Sequence, residues 1–128
     1  MFKFVSLAVG GGVGTILRYL LSGLTHKFTS DIFPWGTLVV NLLGSFAIGV
    51  LWELAEQEII SVQLKIFIFV GILGGFTTFS TYNLENFNLI RDGEFHLALM
   101  NVFLSNVFGI GLVFLGSTLS RYVMGLFR

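Results

Sequence analysis

Apolar positions along this chain gather into four long stretches, at roughly 2–24, 34–54, 62–90 and 95–124. Polar positions gather into the short joints between them, "THKFTSDIFP", "EQEIIS" and "RDGE". A helix needs about 20 largely apolar residues to cross the hydrocarbon of a bilayer, so the pattern predicts four transmembrane helices. Joints this short make consecutive helices antiparallel neighbours. The only proline, Pro34, falls at the first turn of the second stretch, where its missing N–H costs little. The first stretch follows a lone lysine, as a signal peptide does, but it runs on past Gly14 to Leu24 without a small-x-small cleavage site, so it reads as a retained span. The two halves show no convincing repeat, and residues 1–128 are expected to form one four-helix unit with no soluble domain.

Polar residues inside the stretches keep a helical spacing. In the first, Ser6, Gly10, Gly14, Arg18 and Ser22 recur every four residues and share one slowly drifting face. The glycines read as close helix packing of the Gly-x-x-x-Gly kind. For Arg18 two readings stand: a charge inside a span that faces a partner, water or the protein interior, or a side chain near the interface that snorkels to it. The second stretch places Thr37, Asn41 and Ser45 in register, and the fourth places Asn101, Ser105 and Gly109, with Asn106 beside them. An amide left without partners in hydrocarbon costs on the order of 2–7 kcal/mol. Asn41 must therefore point inward, as glue between helices or into a wet path.

The third stretch carries "GILGGFTTFSTYN" at 71–83, with five hydroxyl side chains and an asparagine among its glycines and rings. Gly74 and Gly75 weaken a helix, and the hydroxyls that follow can bond backbone groups. The segment is thus expected to break at mid-membrane and resume near Phe79. Backbone irregular at that depth must be satisfied by protein or water, and the freed carbonyls and N–H groups can hold a cation and face an anion. Phe76, Phe79 and Tyr82 recur at three-residue intervals on one side of the helix. They read either as ordinary packing in a chain with 15 phenylalanines or as rings whose positive edges favour a small anion.

Composition and charge narrow the setting. With 55% hydrophobic residues, 11% charged residues and a mean hydropathy of +0.90, 128 residues cannot bury their apolar surface in a small globule. The partner they imply is a lipid bilayer. Formal net charge is zero and no basic run occurs, so nucleic acid is not an expected partner. The chain has no cysteine, which excludes disulfides and thiolate chemistry. His26 and His96 sit near joints, apart from the serines, and no catalytic or metal-ligand spacing emerges.

Three segments carry a resemblance: "GGVGTILRY" at 11–19, "WGTLVVNLLGSFAIG" at 35–49 and "GILGGFTTFST" at 71–81. Together they resemble the signature segments of the Fluc/CrcB family of fluoride ion channels, across essentially the whole chain. The resemblance implies an all-α membrane protein of four helices with the third broken, paired as an antiparallel, dual-topology homodimer in the bacterial plasma (inner) membrane. It implies passive export of cytoplasmic fluoride through two pores at the dimer interface. By position, Gly74 and Thr77 would offer backbone carbonyls to a structural sodium ion shared across the dimer. Asn41 would project into the fluoride path, Phe79 would line it, and Thr78, Ser80 and Thr81 would supply polar contacts. Ser105 would stand on the polar rail of the fourth helix. Two departures are Tyr82, where the family usually has phenylalanine, and Asn101, where that rail commonly begins with tyrosine. Arg18 matches the family's first-helix arginine, with a structural or electrostatic role.

The alternative of another class is a small proton-coupled multidrug exporter of mixed orientation. That chemistry wants a carboxylate in the first span, and none is there; the acidic residues are mostly at joints or span ends, with Glu85 alone deeper. A third reading, a non-conducting subunit, explains the glycines but gives no role to two polar rails. Orientation is set by the cytoplasmic excess of lysine and arginine. Lys3, Lys65, Arg121 and Arg128 fall on the side of the termini, and Arg18, Lys27 and Arg91 on or toward the other, a split of four to three. So small an excess leads to the expectation that the chain inserts both ways.

Overall fold

The computed structural model describes residues 2–29 and 32–126. Ser30 and Asp31 in the first joint, and Arg128 in the charge count above, lie outside them. Among the described residues all regular structure is helical: α1 (Phe2–Phe28), α2 (Trp35–Glu56), α3 (62–76), α4 (Phe79–Arg91) and α5 (Phe95–Leu126). Four lengths of helix are long and apolar enough to cross a membrane, with α3 and α4 forming the third in succession. This is a multi-pass membrane protein.

Glycines set how the helices meet. α1 lies against α3, and a Cβ on Gly10 would stand 2.8 Å from the Phe67 carbonyl oxygen and 3.1 Å from the Gly71 Cα. A Cβ on Gly75 would come within 2.5 Å of the Gly11 carbonyl, and one on Gly14 would collide with the Ile72 carbonyl. Any side chain there must push two backbones apart, so the every-fourth-residue glycines are a close-packing seam. α2 and α5 form a second seam, where Gly49 faces the Val113 backbone and Gly116 faces the Phe46 carbonyl. A charge pair between buried Glu53 and exposed Arg121 closes one end of it. Glu53, only 4% exposed, accepts from Arg121 Nη2 at 2.7 Å and from the Ser117 hydroxyl.

Two helices depart from the α-helical turn. Residues Ile66–Leu73 in α3 and Leu104–Phe108 in α5 form wider π-helical turns, which occur often at functional sites. Between α3 and α4 the chain takes two extended residues, Thr77 (φ −82°, ψ 157°) and Thr78 (φ −149°, ψ 117°). Gly74 and Gly75, expected to weaken the helix, are themselves helical. Gly75 serves the seam with α1, and the departure comes two residues later, where polar side chains take over the backbone bonds.

Candidate functional site

The extended step is held from α2. Asn41 Oδ1 accepts from the Thr78 N–H at 2.8 Å, and Asn41 Nδ2 donates to the Thr78 carbonyl at 3.1 Å. One amide thus serves both backbone groups of one residue. In an unbroken helix the Thr78 N–H would bond the Gly74 carbonyl, and the Thr81 N–H would bond the Thr77 carbonyl. Here Asn41 takes the first. The second goes to the Thr78 hydroxyl at 3.3 Å, which caps α4. The Gly74 and Thr77 carbonyls thereby lose their helical donors. The Thr77 carbonyl also accepts a long bond, 3.5 Å, from Arg18 Nη1 on α1. Among the described residues no group of His, Cys, Asp or Glu is placed to hold a metal ion, so a cation at this step would depend on backbone oxygen.

A cleft of about 360 Å³ opens on one side of the step. Asn41, Ser45, Thr77 and Thr78 line it with Gly74, and Ser105 and Asn106 close it from α5. Its apolar lining includes Ile48, Phe69, Leu73, Phe79 and Tyr82. Phe79 and Tyr82 lie with ring centroids 5.7 Å apart and planes inclined by 28°. Their settings differ: Phe79 is 75% exposed on this chain and Tyr82 only 8%. The Tyr82 hydroxyl accepts from Asn106 Nδ2 at 3.3 Å. The wide turn at Leu104–Phe108 contains both Ser105 and Asn106, neighbours in sequence that line the same cleft. No lysine, arginine, aspartate or glutamate lines this cleft.

A second cleft, about 450 Å³, lies on the other side of Thr78. Thr15, Arg18, Ser22, Thr37 and Thr81 supply its polar lining. Thr37 donates to Glu85 Oε1 at 2.6 Å, so the deeper carboxylate on α4 is engaged by the first residue of the α2 rail.

The sequence-derived residues therefore divide. Asn41, Gly74, Thr77, Thr78, Phe79, Tyr82 and Ser105 meet in the first cleft, while Arg18 and Thr81 line the second, with Thr78 common to both. Ser80 reaches only the Thr78 hydroxyl, at 3.5 Å, and lines neither. Asn101 is buried behind the wall rather than on it. Asn86 was not singled out by sequence reasoning, yet it is buried and bonded to Asn101. Its signal is its place four residues beyond Tyr82, on the face turned toward α5.

Comparison with known proteins gives one consistent answer. The family described as CrcB-like protein, Camphor Resistance (CrcB), matches residues 5–117. A protein of Salinibacter ruber named fluoride-specific ion channel FluC is 45% identical over 125 residues, covering 98% of this chain and 94% of its own. The protein of that name from Desulforapulum autotrophicum is 43% identical over 122 residues, covering 94% and 98%. That from Parabacteroides distasonis is 40% identical over 128 residues, covering both chains in full.

Proposed function

The chain belongs to the CrcB-like family, and from that premise we propose that it is a fluoride-selective channel that lets cytoplasmic fluoride leave passively down its electrochemical gradient. The observation that carries the reading is the first cleft, where uncharged polar groups stand among apolar side chains, with no charged residue and with two aromatic rings on its wall. Hydrogen-bond donors and positive ring edges can attract a small anion, and because none of these side chains carries a full charge, each holds it weakly enough to let it leave. Asn41, Thr78, Phe79, Tyr82 and Ser105 form the path in this reading, with Ser80 and Thr81 as polar neighbours of the step.

The step lies at mid-membrane, and two copies inserted in opposite orientations meet there. This reading is supported by the balanced lysine and arginine count. A sodium ion, structural and not transported, sits between the copies on the Gly74 and Thr77 carbonyls, whose helical partners Asn41 and the Thr78 hydroxyl have taken. Arg18 holds the Thr77 carbonyl from α1 and lends positive potential to the second cleft. The host membrane is the bacterial inner membrane.

The proton-coupled exporter is not favoured. α1 has no carboxylate, and Glu53 and Glu85 are engaged by Arg121 and Thr37. The test is fluoride efflux from liposomes that contain only this purified chain and a potassium ionophore, with chloride-loaded liposomes alongside. Rapid fluoride release with chloride retained is expected; release driven only by a proton gradient would refute the channel.

A further inference from the structure

Behind the first cleft runs a chain of side-chain bonds with a fixed direction. Asn101, 1% exposed on α5, donates through Nδ2 to Asn86 Oδ1 at 3.1 Å. Asn86 Nδ2 donates in turn to the Tyr82 carbonyl at 2.9 Å. Ser105, on the cleft wall, donates its hydroxyl to Asn101 Oδ1 at 3.3 Å. The direction follows from the far end. A backbone carbonyl only accepts, so Asn86 must turn its NH2 toward Tyr82 and its oxygen toward Asn101. Asn101 must then turn its NH2 toward Asn86 and its oxygen toward Ser105. Only the hydroxyl proton is left to fill that last place.

We propose that Asn86 and Asn101 are positioning residues for Ser105: they draw its proton away from the cleft, so that an entering anion must compete with the Asn101 oxygen for it. This rests on the fluoride-channel reading. The bond to be displaced is long and neutral, whereas a bond to an anion is charge-assisted and stronger, so the anion wins at modest cost. The relay thereby weakens anion binding at Ser105 without removing the donor. A pore needs that compromise, since a site must be entered and also left.

Replacing both asparagines by leucine removes the competing acceptor and leaves no orphaned amide, a change that is nearly neutral for stability when both partners become apolar. The experiment is fluoride efflux from liposomes over a range of fluoride concentrations, with thermal unfolding as the control for folding. In Asn86→Leu/Asn101→Leu the half-saturating fluoride concentration should fall, roughly two- to tenfold for the loss of one neutral hydrogen bond. In Ser105→Ala it should rise, and adding the two leucine substitutions to Ser105→Ala should then change nothing further. Asn86→Leu alone supplies a second route if the double variant does not fold. Without Asn86 the Asn101 amide can turn its NH2 to Ser105, which again frees the hydroxyl proton, and half-saturation should fall in the same direction. An unaltered half-saturating concentration in these variants, or an equal shift with and without the Ser105 hydroxyl, overturns the proposal and leaves the pair as helix glue. The unmodified chain reports on the underlying reading separately: if it carries no fluoride, the channel and this proposal fall together.

Discussion

Phe79→Ile keeps an apolar side chain of similar bulk and removes the positive ring edge, so packing and conduction should separate at that position. We expect fluoride efflux to be abolished or strongly reduced while the mass in detergent stays that of the unmodified protein; normal efflux would sink the aromatic lining. Tyr82→Phe should conduct, because the ring survives and only the 3.3 Å contact from Asn106 is lost; complete loss would make the hydroxyl essential. Several residues of this site were legible in the sequence because a polar group within a span must find a partner. Asn41 is the clearest, though its spacing left open whether it was glue or path, and its amide spans both backbone groups of Thr78. Asn86 was not legible. The sequence "YNLENFNLI" holds three asparagines within six residues, and only packing against α5 decides which of them is buried.

At the scale of whole helices, the glycine seams make predictions of their own. Gly14→Ala places a methyl against the Ile72 carbonyl, and overpacking of that kind costs typically about 1–3 kcal/mol. The midpoint of thermal unfolding in detergent should therefore drop. Gly125→Ala, with nothing within 4 Å of the added carbon, should leave it unchanged. The charge pair behaves likewise: Arg121→Leu leaves the buried Glu53 carboxylate with only the Ser117 hydroxyl and should lower the unfolding midpoint, while Arg121→Lys should retain most of it. Equal stability of Arg121→Leu and the unmodified chain would show that water already serves Glu53. The four-residue spacing of Gly10 and Gly14 signalled close packing from sequence alone. Their partner was not signalled, since spacing marks a face and not what covers it. The pair Gly74 and Gly75, whose composition favours a break, stays helical. The chain leaves the helix at Thr77 and Thr78 instead, because Asn41 from another helix, 37 residues away, supplies the replacement bonds.

For the molecule as a whole, length and hydropathy made the four membrane helices legible, because the bilayer demands long apolar helices with self-satisfied backbones. Orientation is further from the sequence, since the lysine and arginine count leaves a margin of one charge. Two lysines added to the 57–61 joint should bias every copy to one orientation and stop fluoride efflux, and a second chain biased the opposite way should restore it. Full efflux from the one-way population alone would contradict the antiparallel pair. The central claim, that this chain is a channel selective for fluoride, is tested most directly by its reversal potential. In a planar bilayer containing only the purified chain, with potassium fluoride on one side and potassium chloride on the other, current should reverse at an extreme voltage whose sign marks fluoride as the only permeant ion. A reversal near zero, where fluoride and chloride pass alike, or one that follows the proton gradient, would contradict it.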